Sequence, residues 1–112
     1  MDNPVDLTNL HSMTGGDKEM EKELFQEFLS SFKKGLSSLQ QYCSENNTEA
    51  WRAESHALKG ISLNLGANTI GELCKNAQDS NLEDTAIKNE ILKKMHTEYK
   101  KIEQFLLNTI SN

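Results

Sequence analysis

Proline is nearly absent from this sequence and glycine is scarce. Pro4 is the one proline, outside every periodic segment, and six glycines serve 112 residues. So little turn material argues against a β fold and for long helices. Cysteine is sparse as well. Cys43 and Cys74 fall inside helical patterns with no metal-ligand spacing, so they read as two buried, reduced thiols. Basic blocks are missing, and the formal net charge is −5, which disfavours nucleic acid as a partner. No apolar run approaches transmembrane length, so no membrane partner is expected. The opening MDNPVDLTNL lacks the basic start and apolar stretch of a signal peptide. A soluble cytoplasmic protein is the expectation, with residues 1–112 forming one domain long enough to bury a core.

Only 36% of residues are hydrophobic, so the apolar material has to lie on a few faces. The periodicity shows which ones. "DLTNLHSMTGG" reads as a short helix stopped by Gly15 and Gly16, with Leu7 and Leu10 on its inner side and His11 at the edge. No GK[ST] follows the glycines, so they are not a phosphate loop. From about Asp17 to Ser44, Phe25, Phe28, Leu29, Phe32, Leu36, Leu39 and Cys43 recur at three- and four-residue spacing, the stripe of an amphipathic helix. "SENNTE" is a polar turn. A third helix runs from Thr48, its expected cap, to Leu65 and stops at Gly66.

Asn68 or Thr69 opens a fourth helix, with Glu72 placed for a capping box and Ile70, Leu73, Cys74 and Ala77 inward. "DSNLED" is a second polar turn. The last helix spans about Thr85 to Asn108, with Ile87, Ile91, Met95, Tyr99, Ile102 and Leu106 in register. Short links between amphipathic helices imply antiparallel neighbours. The fold class is therefore all-α: an antiparallel up-down four-helix bundle with a short N-terminal helix.

The third helix carries an anomaly. In "ESHALKGISLNLG", residues 54–66, a glycine sits one turn after a histidine, where glycine costs roughly 1 kcal/mol relative to alanine. On a wheel at about 100° per residue, Trp51, Leu58, Ile61 and Leu65 gather on one side, flanked by Ser55 and Ser62. His56 falls opposite and faces water. Around it lie Arg52, Ala53, Lys59, Gly60 and Leu63. Glu54 fits this wheel poorly, lying near the apolar side.

The outward patch mixes small, basic and apolar residues in an acidic protein. A neutral imidazole is a nucleophile near physiological pH and can hold a phosphoryl group on nitrogen. Lys59 offers a flexible point charge for phosphoryl oxygens. Gly60 keeps space open beside the ring. Close helix packing is the competing explanation for Gly60. Arg52, Ala53 and Leu63 are the candidate docking residues.

At these positions the sequence resembles histidine-containing phosphotransfer domains, the HPt modules of bacterial two-component phosphorelays. "HALKGISLNLGANTIGELC" is similar to their pattern of H-x-x-K-G, a small or polar stretch, L-G-A, and an L-C pair on the next helix. The matching residues are His56, Lys59, Gly60, Leu65, Gly66, Ala67, Leu73 and Cys74, and "DLTNLHSMTGGD" resembles the family's usual opening. The resemblance implies that His56 accepts a phosphoryl group from a receiver-domain aspartate and passes it on. Lys59 would steady that group, Gly60 would permit access, and Gly66 and Ala67 would serve the turn. The Mg²⁺ site would belong to the partner, leaving no cofactor in this chain. Response-regulator receiver domains are the implied partners, with a hybrid sensor histidine kinase a further candidate. Ile61 departs from the pattern, where a smaller residue is common.

Two other readings compete. A histidine-kinase phosphoacceptor domain typically follows its histidine with an acidic residue and then a proline; here Ala57 follows and the helix has no proline. A non-catalytic bundle that only binds signalling partners would leave His56 incidental. His11, His56 and His96 lie on separate helices, which gives metal binding little support. The expectation is a free-standing monomer without ATP-dependent kinase activity.

Overall fold

The computed structural model describes residues 3–111. Its helices are α1 (Thr8–Thr14), α2 (Lys18–Ser44), α3 (Thr48–Leu65), α4 (Asn68–Asp79) and α5 (Thr85–Ser111), with no strand among the described residues. α2 and α5 have 27 residues each. At 1.5 Å per residue such a helix is about 40 Å long, and the molecule's long dimension is 43 Å. α2, α3, α4 and α5 form a four-cornered bundle in which each helix touches its chain neighbours and α5 closes against α2. α1 lies across α2 and α3. No helix is long and apolar enough to cross a membrane among the described residues.

The helix limits follow from local chemistry. Gly15 (φ 64°) and Gly16 (φ 85°) take the left-handed conformation that ends α1,. The Asp17 carboxylate then caps α2 by accepting from Glu19 N–H and Met20 N–H,. Two expected caps differ. Asn47, not Thr48, caps α3 and accepts from Ala50 N–H at 3.1 Å, because Asn46 turns the chain left-handed one residue earlier. The capping box at Glu72 does not form. α4 starts at Asn68, so the buried Ala67, which has no polar side chain, occupies the cap position.

The core is lined as the stripes require. Phe25, Phe32, Leu39, Trp51, Met95 and Ile102 are fully buried, each worth about 1.5–3 kcal/mol of transfer free energy. Phe32 stacks on Tyr99 at 5.8 Å, and the Tyr99 hydroxyl donates to the Leu29 carbonyl at 3.0 Å. Cys43 and Cys74 are buried free thiols. Burial pushes the Cys74 thiol up to about 12, against a smaller opposing effect of its hydrogen bond with Ser62.

One residue of the last stripe turns out differently. Ile87 is 43% exposed, while Lys88 and Leu92 point inward. Lys88 takes the inward place with its ammonium over the Trp51 indole, 5.2 Å from the ring centroid,.

The N-terminal segment fastens the α3–α4 turn. Val5 is buried, and Asp6 N–H donates to the Gly66 carbonyl at 2.9 Å. Gly66 ends α3 at φ 93°, and a Cβ there would run into the Asp6 carbonyl oxygen. Backbone sign and backbone contact both require glycine at this position.

Candidate functional site

The site is the outward face of α3. The wheel's assignment agrees with the observed exposure: Trp51, Leu58 and Leu65 are buried, while Arg52, Ala53, His56, Gly60 and Leu63 are exposed and Lys59 is half-buried. Ile61, expected to face the core, is half-buried instead. It sits on the rim of a shallow concavity of about 410 Å³ shared by α1, α2 and α3, beside Leu10, Met13, Leu24 and Phe28. Glu54 is also half-buried, and burial raises its carboxyl pKa. This explains its poor fit to the wheel: it lies at the edge of the stripe.

Glycine geometry separates two kinds of position. A Cβ on Gly35 would collide with the Leu58 side chain, and a Cβ on Gly71 would lie 2.7 Å from Leu63 Cδ2. Those glycines serve helix packing. A Cβ on Gly60 would meet nothing within 4 Å. Packing therefore does not account for Gly60. Its effect is to leave the space beside His56 empty.

His56 meets a residue that inspection of α3 alone misses. Its Nδ1 lies 3.3 Å from Oε1 of Gln78 on α4. With the amide oxygen as acceptor, this contact favours the neutral-ring tautomer that carries its proton on Nδ1 and keeps the lone pair on Nε2. α3 and α4 are antiparallel about the Gly66–Ala67 turn. Counting equal distances from that turn places His56 beside Ala77 and Gln78, and this is the sequence signal that could have found Gln78.

Lys59 and Arg52 form no ion pair or side-chain hydrogen bond among the described residues. Both cations are available to an incoming anion. The remaining histidines lie elsewhere. His11 on α1 bonds Glu21 at 2.7 Å, and His96 is exposed on α5. No group of three His, Cys, Asp or Glu side chains is placed to hold a metal ion among the described residues. What this face offers is an accessible imidazole with unpaired positive charge nearby and clearance on one side.

The sequence model of the Hpt domain matches residues 23–104. This chain belongs to the Hpt domain family. Its general role is therefore that of a histidine phosphotransfer module in two-component phosphorelays. The bundle also resembles a solved structure, that of histidine-containing phosphotransfer protein B (HptB) from Pseudomonas aeruginosa PAO1. The TM-score is 0.88 at 19% sequence identity, covering 99% of this chain and 97% of that chain. At that identity the likeness is one of fold. No curated protein sequence matches this chain. The stretch matched by the Hpt model begins within α2 and contains all of α3 and α4, and so includes both His56 and Gln78.

Proposed function

We propose that His56 is the phosphoacceptor of this Hpt domain, taking a phosphoryl group from an aspartate of one response-regulator receiver domain and passing it to another. The observation that carries this reading is the exposed imidazole whose Nδ1 is held by Gln78 while Nε2 stays free. In the transfer, the Nε2 lone pair attacks phosphorus. The phosphorus–oxygen bond to the aspartate breaks, and the carboxylate leaves with the bonding pair. The Nδ1 proton stays on the ring and strengthens its bond to Gln78 as positive charge develops there.

Lys59 would steady the phosphoryl oxygens, and Gly60 would admit the receiver's active site. Arg52, Ala53 and Leu63 would form part of the docking surface. This chain mainly presents the nucleophile, so Mg²⁺ is assigned to the receiver. A receiver belonging to a hybrid sensor kinase would serve as donor in the same way. The chain would act as a monomer and a single module.

Incubation with a phosphorylated receiver tests the proposal. Acid-labile label should appear on this chain and be absent from His56→Gln. Label retained by that variant would reject His56. Receiver binding without any transfer would support a non-catalytic adaptor instead.

A further inference from the structure

Gln78 holds His56 from a weak place in the fold. It is the last residue but one of α4, which ends at Asp79. Final helical turns have carbonyls without intrahelical donors, and they fray. The backbone supplies one cap here: Ser80 N–H reaches the Asn76 and Ala77 carbonyls at 3.0 and 3.2 Å.

Among the described residues, one side chain adds to that cap. The indole Nε1–H of Trp51 donates to the Ala77 carbonyl at 2.7 Å, within the protein interior. Trp51 is fully buried, and the Lys88 ammonium from α5 lies over its ring. Residues of three helices therefore meet at the Trp51 indole: Ala77 of α4 through its carbonyl and Lys88 of α5 through its ammonium. The Ala77 carbonyl and the Gln78 nitrogen belong to the same rigid peptide plane. Fixing that carbonyl fixes the plane from which the Gln78 backbone starts.

We infer that Trp51 is a positioning residue for His56, acting through the Ala77–Gln78 peptide to hold the Gln78 amide against Nδ1. The inference rests on His56 being the phosphoacceptor. The bond it protects is long at 3.3 Å and exposed, so a small backward shift of α4's last turn breaks it. An unheld imidazole turns to the tautomer that carries its proton on Nε2. In that form Nε2 has no lone pair for attack, and transfer slows without any change in the docking surface.

The test uses the full chain with ¹⁵N-labelled histidine. Trp51 is replaced by phenylalanine and, separately, by benzothienylalanine, which keeps the indole's shape but puts sulfur in place of N–H. Gln78→Ala serves as the reference. Ring nitrogen shifts are read at about pH 8.5, roughly two units above the ordinary histidine value. In the wild type the Nδ1–H form should predominate. The sulfur analogue and Gln78→Ala should both shift His56 toward Nε2–H and lower the transfer kcat by about 2- to 10-fold, the range one hydrogen bond spans, with KM unchanged.

A sulfur analogue with the wild-type tautomer and kcat, beside a shifted Gln78→Ala, overturns the role of Trp51. The same holds if Gln78→Ala leaves the ring unshifted, since there is then no bond to protect. Neither result bears on His56 as acceptor, which the His56→Gln label experiment decides separately. The sulfur analogue keeps both fused rings in the core, so the answer stands even if Trp51→Phe weakens the fold.

Discussion

Leu63 occupies the space that a side chain at Gly71 would need. A Cβ at position 71 would lie 2.7 Å from Leu63 Cδ2 and 3.2 Å from Cγ. The missing side chain lets α4 close on α3 and gives Leu63 a footing, yet Leu63 remains 44% exposed. An apolar side chain that is half seated and half in water, two turns from His56, suits contact with a partner better than it suits the core.

Leu63→Asp should therefore slow transfer from a phosphorylated receiver several-fold through KM. The variant gives up roughly half the burial of one leucine, about 1 kcal/mol, so its helical signal and cooperative unfolding should persist. Stopped-flow transfer beside circular dichroism checks both. Unchanged transfer kinetics would remove Leu63 from the docking surface.

Gly60 and Gly66 should respond oppositely to alanine. At Gly60 the added methyl meets nothing, and the helix gains about 0.8–1.0 kcal/mol from the better helix former. Gly60→Ala should raise the unfolding midpoint while reducing the rate of receiver transfer. At Gly66, φ is 93°, and a left-handed backbone costs a non-glycine residue about 1–2 kcal/mol before the collision with the Asp6 carbonyl is counted. Gly66→Ala should lower the midpoint. A Gly60→Ala protein that is more stable and transfers at the wild-type rate would show that the glycine is not there for access.

Acid should loosen the joint between α1 and α2. Glu21 accepts from His11 and Thr14 at 2.7 Å each. The His11 bond, then the Thr14 bond, hold its carboxyl below the ordinary carboxylate range, with the charges of His11 and Lys18 adding to them and burial opposing. A group whose folded pKa is lowered stabilises the fold when ionised. This contribution is complete above the unfolded value of about 4.3 and is lost as pH falls through the folded value. Glu21→Gln should flatten the fall of the melting midpoint between about pH 5 and pH 3. Parallel acid limbs in the two proteins would contradict this.

Much of the architecture was legible because it depends on short-range pattern. Three- and four-residue spacing located α1 to α5, and Gly15, Asp17 and Gly66 marked their ends. The wheel turned His56 outward because Trp51, Leu58 and Leu65 left it no other side. What escaped depended on contacts between helices. Lys88 displaced Ile87 from the inner face because its ammonium had the Trp51 ring to lie over, and no pattern on one helix reveals that. Ile61 stayed half-exposed because α1 and α2 leave a concavity above it. The Asn47 cap hung on a single left-handed residue. Gln78 needed the register of α4 against α3, which the turn at Gly66 supplies only once the two helices are known to be antiparallel neighbours.

Nε2 of His56, the nitrogen that Gln78 leaves free, is the proposed carrier of the phosphoryl group. Nuclear magnetic resonance of the ¹⁵N-histidine protein, phosphorylated by its receiver, tests it directly. Phosphorus–nitrogen coupling to Nε2 of His56 and a retained proton on Nδ1 are expected. Coupling to Nδ1, or phosphorus on any other residue, would contradict it.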